Sequence, residues 1–102
     1  MIFVNVMIEG ATHTWCVAKK DVDHESLLNA LNYACGAGAN CKPIQPKAEC
    51  YYPNTAQSHA SYAFDSYYHI NNQADGSCDF GGTATLVQSD PSYRGCRYPS
   101  TF

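Results

Sequence analysis

The sequence predicts a small disulfide-rich α+β domain, and three observations carry that expectation. Six cysteines occur in 102 residues, two segments show helical periodicity, and two short strand-like runs flank a Gly-Gly pair. An even cysteine count in a short chain without a Cys-x-x-Cys pair marks a disulfide framework, which persists in oxidising compartments. Successive cysteines are separated by 18, 5, 8, 27 and 17 residues, unlike the close ligand pairs of structural zinc sites. Cys16, Cys35, Cys41, Cys50, Cys78 and Cys96 are therefore expected to form three disulfides in an extracellular protein that needs no metal. Spacing alone does not choose among the possible pairings. Only Cys35 with Cys41 is suggested, by the short loop holding Gly36 and Gly38.

Taken in chain order, the apolar opening at 1–8 lacks the basic start of a signal peptide and reads as a strand, a truncated leader or a remnant. Leu27, Leu28, Leu31, Ala34 and Cys35 recur at offsets of three and four, which predicts a helix over 23–35 with Asp23 as N-cap and Gly36 as its stop. From 36 to 53, two Gly, three Pro and two Cys interrupt any period, so this is coil pinned by bridges. Asn54 and Gln57 stand at capping-box spacing. Behind them Ala56, Ala60, Ala63, Phe64 and Tyr67 mark the inner face of a second helix reaching about Ile70. Tyr62, Ser66 and His69 then point outward. Runs at 77–80 and 83–87 around Gly81-Gly82 predict a small hairpin, and the tail after Asp90 is coil held by Cys96.

Apolar residues make up 45% of the chain, but that figure includes eight Tyr and six Cys, so the aliphatic core is thin and covalent staples must support it. Charged residues are 15% and the net charge is −3, which excludes a surface that tracks nucleic-acid phosphates. The partner is uncharged or basic. No run approaches the length of a membrane span. Thirteen aromatic rings exceed what so small a core can hide, so some must meet solvent or a ligand.

Several local motifs together resemble a known family. They are Trp15-Cys16-Val17, Asn32-Tyr33-Ala34-Cys35-Gly36, Cys41-Lys42-Pro43-Ile44, Cys50-Tyr51-Tyr52-Pro53-Asn54-Thr55, His59-Ala60-Ser61-Tyr62-Ala63-Phe64 with Tyr67-Tyr68, and Cys78-Asp79-Phe80 with Asp90-Pro91-Ser92-Tyr93. This pattern is similar to the plant X8 domain, also called carbohydrate-binding module family 43, from about Thr14 to Pro99. It leaves 1–13 as a segment outside the resemblance and 14–102 as the domain. The resemblance implies two helices packed at an angle, a small two-stranded antiparallel sheet and long coils, with Cys16 bridged to Cys78, Cys35 to Cys41 and Cys50 to Cys96. It also implies binding of β-1,3-glucan, as in C-terminal domains of plant endo-β-1,3-glucanases, plasmodesmal callose-binding proteins and short pollen proteins. A monomer in the cell wall is expected, and no hydrophobic tail supports a lipid anchor.

A neutral glucan offers C–H-lined ring faces and hydroxyl edges, so its site needs flat π-faces and neutral hydrogen-bonding groups. On this logic Tyr62 is the expected stacking ring, with Tyr51, Tyr52, Tyr93 and Tyr98 as further exposed rings and Gln45, Asn54 and Asp65 as hydroxyl partners. Trp15, Tyr33, Phe64 and Tyr67 are assigned to the core. Glycoside hydrolysis needs two carboxylates flanking the bond, and although Asp65 and Asp79 could be drawn as a pair, nothing around them demands it. No catalytic residue, metal or cofactor is expected. A rival reading is a secreted protein-interaction or defence module, in which the same tyrosines meet a protein.

Overall fold

Both helices form where the periodicity places them, while the sheet is assembled differently. The computed structural model describes residues 13–100. In chain order it contains β1 (Trp15–Ala18), α1 (His24–Gly36), α2 (Ala56–Ile70) and β2 (Ala84–Val87), with single 3-10 turns at Lys42–Ile44 and Phe80–Gly82. The apolar opening lies outside the described residues.

Helix α1 starts as expected: the Asp23 carboxylate accepts from Ser26 N–H at 2.9 Å and from Ser26 Oγ at 2.8 Å, satisfying an orphan donor of the first turn. Helix α2 is capped by Thr55 rather than Asn54, with Thr55 Oγ1 accepting from Ser58 N–H at 3.1 Å. The one-residue shift takes Gln57 out of the capping box. Its amide instead donates to the Ala18 carbonyl at 2.8 Å.

The expected hairpin around Gly81-Gly82 is absent. Phe80, Gly81 and Gly82 have φ of 51°, 67° and 84°, and successive left-handed residues cannot continue an extended ladder. Strand β2 pairs antiparallel with β1, from Trp15 opposite Val87 to Ala18 opposite Ala84. Four residues are too short a run to show alternation of their own, so β1 carries no signal in the sequence.

Strand β1 has β2 on one edge and helix α2 on the other. Ser61 Oγ accepts from Ala18 N–H at 2.9 Å and Asp65 Oδ1 accepts from Cys16 N–H at 2.8 Å. One turn further on, the His69 ring bonds the Thr14 backbone. Residues 57, 61, 65 and 69 thus form a polar stripe at four-residue spacing that takes the place of a third strand. The geometry matches because four helical residues rise about 6 Å and two strand residues about 6.6 Å. From Ser61 through Asp65 to His69, each turn of helix meets the strand two residues further along, at Ala18, Cys16 and Thr14. Buried backbone donors must find partners, and the stripe supplies them.

This arrangement makes α2 central. Ala60 through Ser66 and Tyr68 are all buried, because the helix is covered by α1, by β1 and by the coil that carries Tyr98. Tyr62 and Ser66, expected to face outward, are therefore inside. Trp15 and Phe64 are core residues at 3% and 0% exposure, whereas Tyr33, assigned to the core, is 58% exposed.

Asp65 is fully buried and lies 3.3 Å from His69 Nε2. Attraction between opposite charges would lower the carboxyl pKa and raise that of the imidazole. Burial acts in the reverse sense and prevails: it pushes the Asp65 carboxyl up from 3.8 to about 8 and the His69 ring below 6.5. Asp90 adds a smaller like-charge push on Asp65. Since Nε2 faces the carboxyl, it is Nδ1–H that bonds Thr14, and the bare Nε2 lone pair can accept a proton held by Asp65. The pair is neutral as a whole in the folded protein near pH 7.

The bridges Cys16–Cys78, Cys35–Cys41 and Cys50–Cys96 span sequence separations of 62, 6 and 46. The first ties β1 to the loop before β2, the second closes the end of α1, and the third ties the coil before α2 to the C-terminal coil.

Two predictions follow from this architecture. Replacing Cys16 and Cys78 together by Ala should cost about 4 kcal/mol, and replacing Cys35 and Cys41 about 2 kcal/mol, by the loop-length dependence of cross-link entropy; urea midpoints of the two double variants, reversed in order, would refute it. The second concerns pH. Between 3.8 and about 8 the folded chain keeps an Asp65 proton that the unfolded chain has lost, so stability falls as pH rises. Just below 6.5 the depressed His69 works in the opposite direction, so the decline between about pH 6.5 and 8 belongs to Asp65 alone. Asp65→Asn should flatten that decline in urea titrations; an unchanged slope would contradict the assignment.

Candidate functional site

The tyrosines divide into buried and presented rings. Tyr62, Tyr68 and Tyr98 are 6%, 5% and 8% exposed. Tyr62 and Tyr98 meet edge to face with centroids 5.2 Å apart, and burial raises both phenols above their usual value of 10. The expected principal stacking ring, Tyr62, and the expected exposed ring Tyr98 are thus packed against each other. The Cys50–Cys96 bridge holds the Tyr98 coil over α2. Asp65, expected to meet hydroxyls, is closed inside the fold and bonded to Cys16. These three residues leave the candidate set.

Of what remains, Tyr51, Tyr52, Asn54 and Tyr93 gather at the N-terminal end of α2. Tyr52 is 73% exposed, the most exposed large apolar ring among the described residues. Its ring stands edge-on to Tyr51 at 4.9 Å, and Tyr51 lies 5.4 Å from the His59 ring. The backbone below these rings is held from two sides. Tyr93 Oη donates to the Tyr52 carbonyl at 2.7 Å. His59 Nε2 meets the Tyr51 carbonyl at 2.7 Å, and because a carbonyl only accepts, the proton sits on Nε2. Tyr93, expected as an exposed ring, is half-buried and its hydroxyl is occupied. Asn54 is exposed two residues beyond Tyr52. Gln45 is exposed on the coil after the first 3-10 turn and donates its amide to the Cys41 carbonyl at 3.0 Å.

A second ring cluster was not anticipated. Helices α1 and α2 and the loop 76–83 enclose an open groove of about 580 Å³, within the usual range for small-ligand clefts. Ser26, Asn29, Ala30 and Tyr33 line one wall from α1. Their offsets of three, four and seven put them on one helix face. Tyr33 lies 6.1 Å from Tyr67 and 6.3 Å from Phe80, and Tyr67 lies 5.2 Å from Phe80. Phe80 stacks on the buried Phe64 at 4.2 Å with planes 10° apart, so the aromatic floor is continuous with the core. The hydrogen bond to the Tyr33 hydroxyl is the main cause that raises the Tyr67 phenol above 10. Among the described residues, the only charged one in the lining is Asp79. The helical stripe was readable in the sequence, but nothing there showed that Tyr33 would lack a covering element.

The X8 domain family pattern matches residues 14–85. Glucan endo-1,3-beta-glucosidase 4 of Arabidopsis thaliana is 54% identical over 85 residues, covering 82% of this chain and 17% of the relative. Plasmodesmata callose-binding protein 2 of the same plant is 41% identical over 102 residues, covering 99% of this chain and 53% of the relative. Plasmodesmata callose-binding protein 1 is 46% identical over 88 residues, covering 86% and 44% respectively. The chain spans about half the length, or less, of these curated relatives.

Proposed function

We propose that this chain, which belongs to the X8 domain family, is a non-catalytic module that binds β-1,3-glucan of the callose or laminarin type in the plant cell wall. The names of its callose-binding relatives support the ligand class, and the ring platform at Tyr52 supports the mode of binding. Residues 14–102 act as the binding unit, as a secreted monomer.

The observation that carries the reading is an exposed ring on an immobilised backbone. Tyr52 presents most of its surface to solvent, yet its carbonyl and that of Tyr51 are each held by a side chain from another part of the fold. A pyranose face stacks its C–H bonds on such a ring, and little conformational freedom is lost because the ring is already ordered. Tyr51 and Asn54 extend the contact, and Gln45 offers a neutral amide for hydroxyls. A small flat contact of this kind implies affinities on the order of micromolar to millimolar.

Hydrolysis would require two carboxylates on either side of the scissile bond. Asp65 is fully buried, bonded to Cys16 N–H and set against His69, so it cannot flank a sugar together with the exposed Asp79. The domain's contribution is retention on the polymer.

Affinity electrophoresis through laminarin, with cellohexaose as a linkage control in solution, tests this reading. Tyr52→Ala should weaken laminarin retention roughly five- to tenfold, the loss of about 1 to 1.4 kcal/mol. Tyr93→Phe should weaken it less, by freeing the carbonyl beneath the ring. Equal response to cellohexaose would overturn the linkage assignment. A wild-type chain that ignores laminarin and instead captures a protein would favour the interaction module.

A further inference from the structure

We propose that the groove between α1, α2 and loop 76–83 is a second glycosyl-binding site, with Tyr33 as its platform and Asn29 and Asp79 as its hydroxyl partners. The proposal rests on the glucan reading above and adds to it a site on a different part of the molecule.

Three features of the groove point to a neutral sugar. The first is the exposure of Tyr33. It lies on the helical face that also carries Ser26, Asn29 and Ala30, yet no element among the described residues covers it, and more than half of its surface meets solvent. The ring is held in place all the same: Tyr67 and Phe80 both lie against it and against each other. An apolar face maintained in water without a covering element is ready for a stacking partner.

The second is the rigidity of the opposite wall. Loop 76–83 is tied to β1 by Cys16–Cys78. Phe80 rests on Phe64, and Thr83 Oγ1 donates to the Phe80 carbonyl at 2.8 Å. Positive φ at Gly81 and Gly82 turns the chain sharply, a conformation that side-chain-bearing residues resist. The groove therefore keeps its width without a ligand.

The third is charge. Among the described residues no Lys, Arg or His lines the groove, and Asp79 is its single acid. Such a lining disfavours phosphate, sulfate and uronate ligands, which call for cations. A carboxylate and an amide beside an aromatic ring suit adjacent hydroxyls of a neutral pyranose, since the carboxylate accepts from O–H and the amide both donates and accepts.

The two ring sites lie toward opposite ends of α2. His59 supports the Tyr52 platform and Tyr67 floors the groove, and eight helical residues separate them by about 12 Å along the axis. A chain of several glucosyl units can engage both, whereas a disaccharide can occupy only one at a time. Simultaneous engagement raises avidity without any new contact.

The test is a heteronuclear NMR titration of wild type, Tyr33→Ala, Tyr33→Phe and Tyr52→Ala with laminaribiose and laminarihexaose. Wild type should show two groups of shifting amides, one around Asn29, Tyr33 and Asp79 and one around Tyr52 and His59. Tyr33→Ala should abolish the first group and weaken laminarihexaose binding about tenfold, leaving the second group in place. Tyr33→Phe keeps the platform and should retain most of the response. An exposed ring is a safe truncation, and native dispersion of the remaining amides verifies the fold. Shifts confined to the Tyr52 group in wild type would overturn the second site while leaving glucan binding intact, as would unchanged affinity in Tyr33→Ala. A wild-type chain silent toward both sugars would overturn the glucan reading and this proposal together.

Discussion

The fold depends on how the inner edge of β1 is satisfied. A two-stranded sheet leaves one edge of each strand without a ladder partner, and burying that edge unpaired would be costly. Here the side chains at 57, 61 and 65 on α2 meet the backbone of Cys16 and Ala18, so the helix serves as the missing strand. The match between a helical turn and a two-residue strand step lets a single regular stripe do this. It also explains why a carboxyl group is found fully buried in a domain with few charges. As an acceptor for a backbone N–H, Asp65 is more useful inside than at the surface, and its carboxyl lies 3.3 Å from the His69 ring.

Once α2 is committed to the strand, the rest of the molecule is arranged around it. Helix α1 covers one side and the C-terminal coil another, the latter secured by Cys50–Cys96. The aliphatic core remains small, and much of the packing is aromatic, with Phe64 on Phe80 and Tyr62 on Tyr98. Covalent cross-links compensate for the modest apolar burial of so short a chain. They also determine where rigidity is available for binding, because loop 76–83 and the coil at 50–53 both begin beside a bridged cysteine.

Rings that find no place in the core are displayed at two points, Tyr52 on a pinned coil and Tyr33 at the mouth of a groove. Both displays join an apolar face to hydrogen-bonding groups, and among the described residues no cation lines the groove. That chemistry suits an uncharged polysaccharide better than a nucleic acid or an acidic polymer.

Local sequence determined the two helices, the Asp23 cap and the coil character of 36–53, because periodicity, capping residues and prolines act over a few positions. Cysteine number and spacing implied an oxidised framework, while the pairing came from family resemblance rather than from spacing. The exposure of Tyr52 was also legible, since a ring in a proline-bounded coil has few neighbours to cover it. The sheet was not: β1 is four residues long, and a helix side chain rather than a turn sequence defines its edge. Nor were the fates of Tyr62, Tyr98, Asp65 and Tyr33. Helical periodicity reports a face only when one side of a helix is covered, and α2 is covered on three. Whether a given tyrosine is core or contact was decided by which element packs over it, a property of the assembled chain that no local window contains.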